Sequence, residues 1–218
     1  MADDHILAER DSEVLRITLN RPDKANALTR DMIGDLTELF DLASEDDDLR
    51  VLTIEGAGSR VFCGGADLAQ FIEEGQSGDD ELWEEMSEAL SAVPFLTIAK
   101  INGACIGGSL TLALGCDVRL AVPSAAFGYP VLRNGVFPTT QDGRKLEALV
   151  GPGRKALFLL GGARVDADEA LSWGLVDRLV SADELDQATE DLSQAAFASP
   201  LGHLQALKAY CRETGLSS

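Results

Sequence analysis

A chain of 218 residues, 45% of them hydrophobic, can close one domain around a substantial core, and no stretch approaches the roughly 18 consecutive apolar residues that a membrane span needs. Its 18 basic against 37 acidic residues leave a formal net charge of −19, a field that repels phosphate backbones and anionic lipid and so excludes nucleic acid and membrane surfaces as expected partners. Cys63, Cys105, Cys116 and Cys211 show no C-x-x-C spacing, and the two histidines, His5 and His203, lie near the ends, so buried reduced thiols are expected rather than a metal site, a disulfide framework or a histidine-driven nucleophile.

The opening residues, Met1 to Arg10, carry acid where a leader peptide carries base, which points to a cytoplasmic protein. Residues 14–19 alternate in side-chain character and predict a strand, stopped by Asn20-Arg21-Pro22-Asp23. Thr29 can cap a helix whose apolar residues Met32, Ile33, Leu36, Leu39, Phe40 and Ala43 recur at three- and four-residue spacing. Residues 51–54 form a second predicted strand, closed by Gly56-Ala57-Gly58. A helix is expected to start near Ala66 and to break at Gly75-Gln76-Ser77-Gly78, and an acidic amphipathic helix to follow from about Asp79 to Val93. Residues 97–101 and 118–122 read as further strands, with a short helix over 109–114 between them.

Beyond Arg144 the pattern turns to helices, near residues 144–150, 154–160, 166–173 and 182–197, set apart by glycine-rich joints. The expected architecture is an α/β core over residues 1–143 followed by a helical C-terminal region over 144–218, with no internal repeat in the sequence.

Two segments share one design: a buried strand, a Gly-Gly turn, then a helix. They are residues 61–68, containing Gly64-Gly65, and residues 101–112, containing Gly107-Gly108. A turn of this kind leaves unpaired N–H groups at the helix start, where the helix dipole also favours negative charge. Two such groups aimed at one point would make an oxyanion hole, able to hold the charge that develops on a thioester carbonyl. Glycine lets a ligand carbonyl approach the backbone without a Cβ in the way.

The segments Asn20-Arg21-Pro22-Asp23-Lys24-Ala25-Asn26-Ala27-Leu28, Phe62-Cys63-Gly64-Gly65-Ala66-Asp67-Leu68 and Asn102-Gly103-Ala104-Cys105-Ile106-Gly107-Gly108 resemble the enoyl-CoA hydratase/isomerase (crotonase) family in order and spacing. So do Cys116-Asp117, Phe127-Gly128-Tyr129-Pro130 and Ala170-Leu171-Ser172-Trp173-Gly174-Leu175-Val176, and the resemblance runs from about Ile6 to Leu207. It implies a ClpP/crotonase spiral of ββα units, assembled as a homotrimer or a dimer of trimers. It further implies an acyl-CoA thioester as ligand, with coenzyme A entering as part of the substrate and no permanently bound cofactor. The oxyanion N–H groups carry over to Ala66 and Gly108, flanked by Gly64 and Gly107. Lys24, Ala25, Asn26 and Ala27 would border the CoA moiety, Lys24 and Arg60 would either reach its phosphates or be ordinary surface base, Asp67 and Leu68 would line the acyl pocket, and Pro130 would be a further substrate contact. Asp67 also suits the dipole at its helix start, a structural role.

Two glutamates activate water in hydratases of this family; the resemblance places them at Thr111 and Val131, and a carboxylate used by other relatives at Thr139. None of the three is an acid, and losing a positioned acid/base group lowers a rate by on the order of 10²–10⁴. An efficient hydratase is therefore not expected. Asp142 is the nearest acid, readable as a base or, beside Gly143, as the cap of the next helix. Arg133 is a candidate partner for it or for a substrate carboxylate, and Tyr129 a candidate donor or a packing residue. Relatives continue for further helical turns where this sequence stops at Ser218, implying a more open pocket or a cover from another subunit. The leading expectation is an enzyme that stabilises a thioester enolate or oxyanion; the alternative is a non-catalytic acyl-CoA-binding or regulatory subunit.

Overall fold

The alternating residues after Glu13 do form a strand, and a first strand that the pattern had not disclosed pairs with it. These are β1 (Ile6–Asp11) and β2 (Val14–Leu19), an antiparallel hairpin turning through Ser12 at a left-handed φ of 54°. The computed structural model describes residues 5–73 and 81–215; the expected break at Gly75–Gly78 and the end of the chain at Ser218 lie outside them. Then follow α1 (Arg30–Ser44), β3 (Val51–Gly56), β4 (Val61–Cys63), α2 (Leu68–Glu73), α3 (Glu81–Ala92), β5 (Leu96–Ile101), β6 (Ala104–Ile106) and α4 (Ser109–Gly115). The second half holds β7 (Val118–Ala121), β8 (Ala126–Gly128), α5 (Val131–Asn134), α6 (Thr140–Leu159), β9 (Arg164–Asp166), α7 (Ala167–Trp173), β10 (Arg178–Leu179), α8 (Leu185–Phe197) and α9 (Leu201–Gly215).

Two sheets organise these elements. A six-stranded sheet runs β1-β2-β3-β5-β7-β10, parallel from β2 onward, and a four-stranded sheet runs β4-β6-β8-β9. Each strand of the larger sheet from β3 to β7 is followed by a short strand of the smaller one and then by helix, so β3-β4-α2, β5-β6-α4 and β7-β8-α5 repeat one ββα unit along a spiral. The expected fold class is the observed one. The apolar residues of β3 and β5 are buried on both faces, as parallel strands covered by helices require.

Helix α1 shows why the sequence marks its own boundaries. Thr29 Oγ1 accepts the N–H of Met32 at 3.2 Å, a cap that stabilises by about 1 kcal/mol, and Met32, Ile33, Leu36, Phe40 and Ala43 turn inward. The C-terminal half departs from the expectation of helices alone. Residues 164–166 pair antiparallel with β8 and residues 178–179 parallel with β7, so this half also completes both sheets. The two helices expected over 144–150 and 154–160 are both present, running on from one another as the two arms of α6 and parted where Gly151 takes the non-helical φ 78° and ψ 164° just before Pro152.

Candidate active site

Strands β4 and β6 lie side by side and parallel in the smaller sheet, Val61 opposite Ala104 and Cys63 opposite Cys105, so the two glycine turns leave the sheet as neighbours. They touch. A Cβ on Gly65, which takes φ 92°, would stand 2.6 Å from the Ile106 carbonyl oxygen and 3.0 Å from Gly108 N. Only glycine satisfies both the dihedral and that approach. The first turn is pinned from outside as well. Gly64 N donates to Ala25 O, Leu28 N to Gly65 O and Asp67 N to Leu28 O, each at 2.8 Å. Among the hydrogen bonds of the described residues, neither the Ala66 N–H nor the Gly108 N–H is a donor.

Both turns open onto one cleft of about 460 Å³. Gly64, Ala66, Gly107 and Gly108 form backbone wall. Leu68, Trp83, Val131 and Phe137 make the lining largely apolar, while Thr111, Tyr129, Thr139 and Arg133 bring polar groups to it. The indole of Trp83 lies directly over Gly108, where a Cβ would meet the ring at 2.4 Å, so α3 is seated against the second turn.

Behind the cleft wall sits Asp142. Its side chain is fully buried, and its Oδ2 accepts the hydroxyls of Thr111 at 2.6 Å and Tyr129 at 3.0 Å. Oδ1 is buried without a hydrogen-bond partner among the described residues. Burial pushes the Asp142 carboxyl above its usual range, against the smaller opposing pull of the bonds from Thr111, Tyr129 and Thr139 and of the Lys145 charge. Burial and the neighbouring carboxyl push the Tyr129 hydroxyl well up, so it stays protonated and donates. The capping reading of Asp142 is corrected: the cap of α6 is Thr139, whose Oγ1 accepts Asp142 N at 3.0 Å. A carboxyl three residues past the cap faces inward here because α6 packs on α4, which carries Thr111.

A profile of the enoyl-CoA hydratase/isomerase family matches residues 9–215. The chain belongs to the enoyl-CoA hydratase/isomerase family. It is 37% identical over 205 residues to the carnitinyl-CoA dehydratase of Proteus mirabilis, covering 92% of this chain and 77% of that one. It is 32% identical over 190 residues to the crotonyl-CoA hydratase of Syntrophomonas wolfei, covering 85% and 72%. Among solved structures, an enoyl-CoA hydratase/carnithine racemase from Magnetospirillum magneticum superposes with a TM-score of 0.90 at 31% identity, over 98% of this chain and 82% of that one.

Within this enoyl-CoA hydratase/isomerase chain the Asn20–Leu28 loop frames the first turn. Asn26 is completely buried at φ 52°; its amide nitrogen donates to the carbonyls of Ala57, Val61 and Phe62 and its oxygen accepts Arg21 N. Its side chain therefore braces the loop from inside and does not face a ligand. Asp67 pairs with Arg21 at 3.0 Å, the structural role rather than a place in the cleft wall. Lys24 and Arg60 are exposed, outside the cleft lining, whereas exposed Arg133 is part of it. Nothing in the sequence pattern discloses the contact of Trp83 with Gly108 or the link of Asp142 with Thr111 and Tyr129. A larger hollow of about 600 Å³ lies across the outer sheet by α8, but its buried cation, Lys100, is already held by Glu55 and Asp186 at 2.6 Å each, and neither glycine turn reaches it.

Proposed function

We propose that this protein acts on an acyl-CoA thioester whose carbonyl oxygen is received by the N–H groups of Ala66 and Gly108, so that an enolate or tetrahedral oxyanion forms under their stabilisation. The observation that carries the reading is the pair of touching glycine turns whose Ala66 and Gly108 N–H groups donate to nothing among the described residues, and whose residues line one largely apolar cleft. The dehydratase and hydratase names of the relatives support a CoA thioester as the substrate class. Coenzyme A then enters with the substrate, with no permanent cofactor, and Lys24, Arg60 and Arg133 are the basic side chains available to its phosphates or to an acyl carboxylate. Residues 1–143 would supply the site, residues 144–218 its helical flank, in a cytoplasmic homotrimer or dimer of trimers.

With Thr111, Val131 and Thr139 standing where acids are expected, efficient hydration of the two-glutamate kind is not part of the proposal. Isomerisation, decarboxylation, C–C cleavage and thioester hydrolysis all pass through an oxyanion that the same two donors would hold. Val131, apolar and buried in the cleft wall, favours a second reading, a subunit that binds acyl-CoA without turning it over. A mass-spectrometric screen of CoA thioesters with the assembled protein decides between them. Turnover of one class supports the enzyme; micromolar binding in calorimetry without any turnover supports the binding subunit. Absence of both would sink the CoA assignment.

A further inference from the structure

Each hydroxyl has one hydrogen to give, and Thr111 and Tyr129 both give theirs to Asp142 Oδ2. With the carboxylate ionised, both hydroxyl oxygens, on two residues of the cleft lining, therefore have only acceptor capacity left. In the same cleft lining stand Ala66 and Gly108, whose backbone N–H groups can only donate. A wall of acceptors selects a donor. The donor that a thioester reaction brings to such a place is an oxygen-bound proton, on water or on a hydroxyl of the acyl chain.

We propose that Asp142 is the positioning residue of this site: it fixes Thr111 and Tyr129 as a pair of acceptors that hold one O–H group, and it takes up that group's proton through Thr111. The bound O–H bond breaks as its proton passes to Thr111 Oγ1 and Thr111's own proton passes to Asp142 Oδ2. The electron pair left on the bound oxygen then either forms a bond to an unsaturated acyl carbon, whose displaced π pair passes to the thioester oxygen, or forms a C=O bond as the neighbouring carbon–carbon bond breaks and its pair passes to the thioester oxygen. Asp142 ends as a neutral acid, the hydroxyl of Thr111 is restored, and the reverse step returns the proton. The buried and unpartnered Oδ1 fits this role, since a carboxyl that spends part of the cycle neutral needs no second ion beside it. The carboxylate thus stands one hydroxyl behind the cleft wall, reached through a threonine on a different helix.

The inference rests on the acyl-CoA reading, and the test separates the two. The wild type, Asp142→Asn, Thr111→Val, Thr111→Ser and Tyr129→Phe are titrated calorimetrically with a saturated acyl-CoA and with the 3-hydroxyacyl-CoA of the same length, and melting temperatures are recorded. If the acyl hydroxyl is the group held, the wild type binds the hydroxylated ester at least fivefold more tightly, and Asp142→Asn and Thr111→Val erase that preference while Thr111→Ser keeps it. If water is the group held, the two esters bind alike, and Asp142→Asn instead slows oxygen-18 incorporation from labelled water into the product of an enoyl-CoA by at least tenfold with KM changed less than twofold. Unaltered preference and unaltered turnover in Asp142→Asn overturn the proposal, as does a loss that tracks a fall in melting temperature. If the wild type binds no CoA ester, the acyl-CoA reading itself has failed, and this inference falls with it.

Discussion

Asp142 makes the stability of the fold depend on pH. Its carboxyl titrates above the unfolded value of 3.8 because burial disfavours its charge. The sign follows from linkage: a raised folded pKa contributes stability that is complete below the unfolded value and is lost as pH rises through the folded one. Asp142→Asn, which has no proton to lose, should therefore gain on the wild type in melting temperature as pH climbs from about 4, and the difference should level off once the buried carboxyl is ionised. A difference that shrinks with pH would contradict the burial argument. The cysteines make a second case. Burial pushes the thiols of Cys63 and Cys116 up to about 12 and that of Cys105 higher still, whereas Cys211 is exposed, so the expectation of four buried thiols holds for three. A thiol reagent at neutral pH should label Cys211 alone in the folded protein and all four cysteines in denaturant. These individual roles were hard to read beforehand. Asp142 and Thr111 are 31 positions apart, and nothing in their local spacing announces that α6 presses one against the other.

At the scale of elements, the legible parts are those whose pattern lies within the segment itself. β2, β3, β5 and β7 carry four to six residues of β-rich apolar character, and α1 carries both its cap and its inward stripe. The short strands β8, β9 and β10 have two or three residues, too few for a period to show, and exist through their partners across the sheet. The contact between the glycine turns was expected from the shared design of the two segments and from the family resemblance, although neither turn's own sequence specifies it. Gly65→Ala should remove CoA-ester binding and lower stability together, because the added Cβ collides with the Ile106 carbonyl, main chain that cannot swing aside, and because φ 92° strains any side chain. Thermal melts and calorimetry on one preparation check it; a variant that binds normally would mean that the turns move apart without consequence. Asn26 supports the same turn from below, which explains a fully buried amide in a loop: its nitrogen donates to the carbonyls of Ala57, Val61 and Phe62.

Across the whole molecule, charge and connectivity pull in different directions. A net charge of −19 on 218 residues disfavours compactness by self-repulsion. Added sodium chloride up to about physiological strength, where screening acts within roughly 8 Å, should raise the melting temperature of the wild type, and a flat response would show the acids to be already compensated by their pairs. The chain answers this repulsion partly from its far end. α9 returns to the core through Lys208, which donates to the Phe95 carbonyl and pairs with Asp117 at 2.8 Å, and through Arg212, which reaches the Val93 carbonyl. The ββα repeat is visible only at this scale, since the spiral repeats in three dimensions without repeating its residues.

The N–H groups of Ala66 and Gly108, without an acceptor among the described residues, belong to the main chain, and every amino acid but proline brings an N–H to its position. Descent can accordingly redraw the side chains of the surrounding wall, one after another, while the anchor beneath them stays in place. If those two groups receive a thioester oxygen as proposed, a lineage built on them could exchange one reaction for another without first losing hold of its ligand.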